Sequence, residues 1–484
     1  MKVQLIKQYY NKLSPSIKAS FWFTVCSIVQ RGIALITVPI FTRILSKEEY
    51  GEFSLYQSWY QVILIISTLN LAADVLNNVF TKYSKSERYK IISSFQSLAT
   101  LIVMCCIILV NTFYSSIHHV VKLPLFVINL LLVQCLMYSA LKFWTMEQRY
   151  DYKYIKLVIV TIVIAILNPL LGLLLVHSYS EKGLARIISV CVIDICFGVF
   201  FYLYNLKKGR LIYNREYWRY GISFNLPLLP NYLSGIILGL ADRIMIGYYC
   251  SNSDVAIYSV AYAISIVMNI VTTSINASLI PWIYKSCKNK NYKAIKDVST
   301  KIILIVALIS LIPSIFAPEI IYIMGSSQYM SAIWVVPSIS SSVYIMFVAS
   351  LYISIQLFFE SKITVTITSV TAAVANLVLN YFLIPKYGFI VAGYTTLVSY
   401  IIYLVLHYVF NQIICKKEDV NNPFDNRIII ISTLIFLVVL GILTFGYMYS
   451  ILRYSIIVFT VIILFIGRNK ILKEIKSFIS LKKK

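Results

Sequence analysis

Long apolar runs, separated by short polar segments rich in lysine and arginine, fill the chain. They fall at about 19–41, 56–79, 91–113, 123–144, 157–177 and 185–205. A second set follows at about 220–247, 256–284, 302–321, 331–358, 363–385 and 389–414, then 428–449 and a shorter 454–467. A helix crosses the ~30 Å of bilayer hydrocarbon with about 20 residues, and all but the last run reach that length. The runs are continuously apolar and do not alternate, which argues against a β-barrel. A helix also pairs every backbone N–H and C=O within its own segment, as lipid requires. The pattern predicts an all-α integral membrane protein with about 14 transmembrane helices.

The polar segments test that count. With the N-terminus in the cytoplasm and every run crossing, the cytoplasmic segments hold 33 of the 43 basic residues. The outer segments hold seven: Arg43, Lys47, Lys122, Lys182, Arg186, Lys386 and Arg453. Arg31, Lys142 and Arg243 fall within runs. Cytoplasmic loops are enriched in Lys and Arg, and one miscounted crossing would invert every later loop. Both termini are therefore expected in the cytoplasm. The net charge of +24 follows from this topology and from attraction to anionic lipid head groups, so no nucleic-acid partner is expected. With 59% apolar and 13% charged residues, a soluble enzyme, a disordered chain and a disulfide scaffold are excluded. The first run is too long for a cleaved leader and is expected to be retained as a span.

The chain also repeats itself weakly. SKEEYGEFSL at 46–55 aligns with SNSDVAIYSV at 251–260, pairing Ser46 with Ser251 and Glu49 with Asp254. ILNPLLG at 166–172 faces VANLVLN at 374–380, pairing Asn168 with Asn376, and a glycine follows each, Gly183 and Gly393. Spans 1–6 and 7–12 thus read as two pseudo-symmetric six-helix lobes in one orientation, a parallel-repeat plan found in transporters. The expected division is 1–205, 206–414, and 415–484 for spans 13 and 14 with a basic tail. In that tail Ile471, Leu472, Ile475, Phe478 and Ile479 recur at helical spacing among lysines, the pattern of a helix lying on a membrane surface.

Charges inside the bilayer are costly and are candidates for function by default. Arg31 sits near the middle of span 1, too deep to reach either surface, and suits an anionic group in a cavity; pairing with Asp194 or Asp74 is the structural alternative. Asp242 and Arg243 are adjacent in span 7, so their side chains leave the helix about 100° apart and one of them can face a cavity. Asp74 in span 2 and Asp194 in span 6 are candidates for ion coupling, as carboxylates able to take up a proton when desolvated. Asn376 and Asn380 share one face of span 11 and suit either sugar hydroxyls or a helix–helix contact. Pro227 and Pro230 break the hydrogen-bond ladder of span 7. The nine cysteines form no C-x-x-C pair and the four histidines show no ligand spacing, so no metal site or catalytic site is expected. The chain carries neither a P-loop nor G-x-G-x-x-G, hence no ATPase of its own.

PIFTRILSKEEYGEFSLY at 39–56, ADRIMIG followed by VAIYSVAY at 255–262, and NLVLNYFLIPKYGFIVAGYTTLVSY at 376–400 resemble segments of bacterial Wzx-type O-antigen and capsule flippases. These belong to the multidrug/oligosaccharidyl-lipid/polysaccharide exporter superfamily. The resemblance implies two six-helix lobes around a cationic central cavity, with two C-terminal helices appended. It implies alternating access in the bacterial cytoplasmic membrane, carrying an undecaprenyl-diphosphate-linked oligosaccharide to the outer leaflet. Arg31 and Arg243 match the cavity arginines expected to hold the diphosphate and sugar acids. No cofactor is implied beyond a possible coupling H+ or Na+, for which Asp74, Asp194 or Asp242 are the carboxylates available. Implied partners are the lipid-linked oligosaccharide, membrane lipids, and a polysaccharide polymerase and other assembly proteins. A lipid II flippase would differ only in cargo. A cation-coupled multidrug exporter would carry an acidic cavity, against which Arg31 argues.

Overall fold

The computed structural model describes residues 14–449 together with Ile451, Tyr454, Ser455 and Val458. The fourteenth apolar run and the basic tail lie outside the described residues. Those described form helices throughout, with no strand among them, and twelve helical segments are long and apolar enough to cross a membrane. The first half comprises α1 (Pro15–Ile44), α2 (Lys47–Thr68), α3 (Asp74–Lys82), α4 (Lys85–Thr112), α5 (Tyr114–Val121), α6 (Leu125–Tyr150), α7 (Tyr154–Ser178) and α8 (Lys182–Gly209). The second comprises α9 (Arg215–Asn225), α10 (Leu229–Tyr249), α11 (Asn252–Lys288), α12 (Tyr292–Ile315), α13 (Ala317–Gly325), α14 (Val336–Phe358), α15 (Lys362–Tyr387) and α16 (Ile390–Lys417). α17 (Asn426–Gly446) follows and packs Phe436, Leu440 and Leu443 into the core of the second half.

Helix packing repeats between the halves. α1 packs on α7 as α10 packs on α15, and α6 on α8 as α14 on α16. α2 lies on α6 as α11 lies on α14. The aligned segments 46–55 and 251–260 start equivalent helices with the same device. Ser46 caps α2 and Ser251 caps α11, and Glu49 and Asp254 each return a bond to the cap's backbone N–H, completing a capping box.

Span 2 is not the single apolar run that the sequence suggests. Its helix α2 begins at Lys47 and carries Glu48, Glu49, Glu52 and Gln57 in its first turns. Leu69 and Asn70 then take left-handed conformations, and the chain restarts as α3 at Asp74. α2 tolerates this polarity because protein covers it: Ser54, Ser58, Ser67 and Thr68 are all buried. Span 7 is interrupted by a 3-10 turn, Leu226–Leu228, at the two prolines. There it changes partners. α9 rests on the first half, with Trp218 Nε1 donating to the Ser94 carbonyl at 2.9 Å, whereas α10 rests on α15 and α2.

The two halves meet at the end of the molecule with few basic residues. Phe41, Tyr50 and Leu55 share a core there with Val255, Tyr258, Ile321 and Tyr329. Thr42 donates to the Met324 carbonyl at 2.6 Å, Arg43 to the Ile323 carbonyl at 2.9 Å, and Lys122 to the Tyr248 carbonyl at 2.7 Å. Ser253 donates to Glu48 across the same seam. At the base-rich end, the four ion pairs among the described residues all stay within one half, such as Lys153–Asp151 at 2.7 Å and Lys296–Asp425 at 3.0 Å. The seam depends on Gly51, because a Cβ there would stand 1.7 Å from the Asn252 carbonyl oxygen. Gly51→Val is expected to part α2 from α11 and open this end. Faster labelling of the half-buried Cys250 by a membrane-impermeant maleimide, with Cys250→Ser as control, checks it; unchanged labelling would refute it.

Candidate functional site

A cavity of about 480 Å³ opens among α1, α2, α6, α7 and α8 of the first half, with Ile266 of α11 completing its wall. α1 lines it with one stripe, Gln30, Ile33, Ala34, Thr37, Val38 and Phe41, which is the spacing of one helical face. Tyr50, Phe53, Gln57 and Tyr60 of α2 form another wall. Two ionisable groups face each other's surroundings here: Arg186 and Asp194, both from α8.

Arg186 is the residue that sequence reasoning missed. The topology put it in an outer loop, but α8 starts at Lys182 and carries it one turn inside. It is 6% exposed. Its Nη1 donates to Asn168 Oδ1 at 3.0 Å and to Ser189 Oγ at 2.9 Å, and the guanidinium lies 4.2 Å from the Phe41 ring centroid and 4.8 Å from that of Phe53. Among the described residues no carboxylate pairs with it, and its Nε has no partner. A buried cation held by neutral groups, with a donor unused, is prepared for an anion. The signal lay in the repeat: Arg186 stands three residues after Gly183, as Thr396 stands three after Gly393.

Asp194 accepts from Gln134 Nε2 at 2.7 Å, and so is not paired with Arg31. Arg31 is half-buried on α1 next to Gln30, at the edge of the cavity stripe, and makes no hydrogen bond, ion pair or ring contact among the described residues. Arg243 stacks its guanidinium 4.5 Å from the Tyr262 ring centroid and also leaves Nε unpartnered. Tyr50, on the cavity wall, feels the charges of both Arg243 and Arg186. Of the two arginines, Arg186 lines the cavity and Arg243 does not. Asp74 is exposed at the first turn of α3 and accepts from Tyr232 of α10 at 2.9 Å.

Asp242, Asn376 and Asn380 come together, away from the cavity. Asp242 is 1% exposed. Asn380 donates to its Oδ1 at 2.7 Å and Asn376 at 3.3 Å; Thr396 donates to Oδ2 at 2.6 Å, and Tyr258 donates there too. Asn376 and Asn380 are wholly buried, so their polar groups serve this carboxylate.

The two buried sites occupy equivalent places. Asn168 bonds Arg186 in one half, and Asn376 bonds Thr396 at 2.9 Å in the other. Under the alignment of Ser46 with Ser251, Asp242 falls opposite Thr37, a residue lining the cavity. The first half thus carries a cation where the second has threonine, and the second an anion where the first has threonine. One lobe thus buries a guanidinium and the other, at the equivalent place, a carboxylate. Among the described residues no group of three or more His, Cys, Asp and Glu is placed to hold a metal ion.

Two lobes of six helices, a cavity between packed helices and a joined core at one end define a multi-pass helical membrane fold. The same fold is found in the lipid II flippase MurJ in an inward closed conformation, with a TM-score of 0.70 at 14% identity over 93% of this chain and 99% of that one. It is also found in an inward-facing multidrug resistance MATE family transporter of the MOP superfamily, with a TM-score of 0.64 at 11% identity over 81% and 98%. Residues 16–287, more than half of the chain, match the family model for polysaccharide biosynthesis proteins, and the chain belongs to that family. An Lsg-locus protein of Haemophilus influenzae is 24% identical over 56% of this chain and 67% of its own. An uncharacterized membrane protein of Methanocaldococcus jannaschii is 21% identical over 84% and 86%. The chain is a polysaccharide biosynthesis protein by family, and the solved structures that share its fold are a flippase and a transporter.

Proposed function

We propose that this chain carries undecaprenyl-diphosphate-linked oligosaccharide repeat units from the cytoplasmic to the outer leaflet of the bacterial cytoplasmic membrane, by alternating access, for surface polysaccharide. The observation that carries the reading is Arg186, buried, unpaired and aimed at a 480 Å³ cavity. Diphosphate and acidic sugars need a positively lined path across hydrocarbon. The amides of Gln30, Gln57 and Asn168 and the rings of Tyr60 and Tyr138 suit sugar hydroxyls and sugar faces. The polyprenyl tail stays in lipid, so only a lateral opening is needed.

The base-rich end is the cytoplasmic one, by its excess of Lys and Arg. The core that joins the halves lies at the other end, while at the base-rich end the second half rests on the first through α9; in the proposed cycle this arrangement loads cargo from the cytoplasm. Export follows when the seam around Gly51, Thr42 and Lys122 parts and the base-rich ends close. Asp242 supplies the coupling carboxylate: ionised, it accepts from four donors, and it takes up a proton when a hydroxyl donor, Thr396 or Tyr258, turns away from Oδ2.

The test is expression in bacteria lacking their own O-antigen flippase, scoring surface polymer, with lipid II rescue and drug resistance in parallel. Restored polymer is expected. Rescue of lipid II export alone, or drug resistance alone, would overturn the reading. Arg31→Ala is expected to keep membrane abundance and lower polymer appearance about ten-fold, the equivalent of ~1.4 kcal/mol, since its guanidinium is half-exposed and unpaired. Loss of abundance instead would show that Arg31 is structural.

A further inference from the structure

Two polar stripes run down the second half, facing each other on α15 and α16. α16 carries Thr395, Ser399, Tyr403, His407 and Asn411, each four residues after the last. α15 carries Asn380, Asn376, Thr368 and Thr364 on the same spacing, broken only by Ala372. Four-residue spacing puts each set on one helix face, and the two helices pack together. The stripes begin at the Asp242 cluster and descend toward the base-rich end. Sixteen residues separate Thr395 from Asn411, about 24 Å of helix.

The lower part of this seam is buried but unpaired. His407, Asn411 and Thr368 are fully buried. His407 Nε2, Thr368 Oγ1 and both polar atoms of the Asn411 amide have no hydrogen-bond partner. Polar residues that merely join two helices leave their groups bonded across the interface. Groups left open at this depth mark internal water, which typically makes about three hydrogen bonds to such atoms. The imidazole is also oriented. Gln356 Nε2 donates to the His407 carbonyl at 2.9 Å, and Thr364 donates to Gln356 Oε1 at 3.2 Å. Gln356 Oε1, 3.1 Å from His407 Nδ1, must then accept from that nitrogen. This fixes the Nδ1–H tautomer and leaves the Nε2 lone pair without a partner among the described residues.

We propose that this seam is a hydrated proton path, through which Asp242 returns its proton to the cytoplasm by way of His407. It deepens the transport reading given above by naming the coupling ion and its exit. The Asp242 carboxyl loses its proton to water in the seam. His407 takes a proton on Nε2, becoming imidazolium, and the same nitrogen gives it to water beside Asn411, restoring the neutral ring. Few charged groups bear on either end. Facing His407 are Gln356 of α14 and the Tyr403 ring, 4.4 Å away, whose hydroxyl meets Ser369 of α15. Facing Asp242 are Tyr258, Asn376, Asn380 and Thr396, with Arg243, Tyr262 and Tyr400 nearby.

The test has one arm that needs no cargo. The full chain, 15N-labelled at histidine and reconstituted in phosphatidylethanolamine–phosphatidylglycerol vesicles, is transferred to D2O. His118, His119 and His177 are exposed and serve as internal references. His407 is expected to exchange its ring proton on the timescale of those references, and Asn411→Leu, which plugs the seam, to slow it strongly. A ring proton protected for hours in the wild type overturns the path, whatever the chain transports. In the second arm, polymer appearance in cells is followed as external pH and Na+ are varied. A rate that follows the pH gradient and falls to background in His407→Gln at normal abundance supports the relay. A rate that follows Na+, or is unchanged in His407→Gln, overturns it. Absence of polymer with wild type rejects the cargo reading and leaves the exchange arm to decide the path.

Discussion

Arg186→Ala is expected to abolish surface polymer in the flippase-deficient strain while the protein still reaches the membrane. Removing one partner from a buried charged contact costs about 2–5 kcal/mol, roughly a 30- to 4,000-fold loss in rate or affinity. The effect is large because Arg186 has no carboxylate to neutralise it, so cargo supplies the missing anion. Arg186→Lys is expected to restore only part of the activity. An ammonium keeps the charge but lacks the planar fork that bonds Asn168 and Ser189 together and stacks between Phe41 and Phe53. Arg186→Gln keeps hydrogen bonding without charge and is expected to resemble alanine. Quantitative immunoblotting of membranes separates the two explanations: normal abundance without polymer supports cargo binding, whereas loss of protein would mean that Arg186 holds α7 to α8.

The second large effect is expected at Asp242. Asp242→Asn retains the shape but replaces one acceptor oxygen by a donor, opposite groups that already donate: Asn376, Asn380, Thr396 and Tyr258. At least one buried donor is left unpaired, at a cost of about 1–3 kcal/mol. The purified variant is therefore expected to melt lower than wild type. Its transport is expected to lose all response to an imposed ion gradient, because the neutral amide can neither release a proton nor attract Na+. A variant that melts normally and still responds to the gradient would remove Asp242 from coupling. Asp194→Asn provides the contrast. Asp194 has one amide donor, Gln134, and lines the cavity proposed for cargo, so its substitution is expected to alter cargo preference and leave the gradient response intact.

The helical membrane architecture was legible because lipid imposes it one segment at a time. Any stretch of about 20 apolar residues must close its own hydrogen bonds. The repeat was legible at Ser46/Ser251 and Glu49/Asp254 because a capping box is a local device, carried by residues three apart. Asp242, Asn376 and Asn380 were legible as polar groups in apolar runs. That they form one cluster was not, because 134 residues separate Asp242 from Asn376.

Sequence alone thus determined which segments enter the membrane, the near-twofold plan and the buried polar groups that lipid makes conspicuous. Only the tertiary structure decided where the charges serve. Arg186 reads as a loop residue four positions from Lys182, yet the start of α8 places it inside a cavity walled by five other helices. Span 2 reads as starting near residue 56, yet α2 begins at Lys47 because its polar turns are covered by α11 and α6. The reason is the same in both cases. Hydropathy measures a residue against lipid, whereas a buried polar group is stabilised by the particular donors, acceptors and rings that distant helices bring to it.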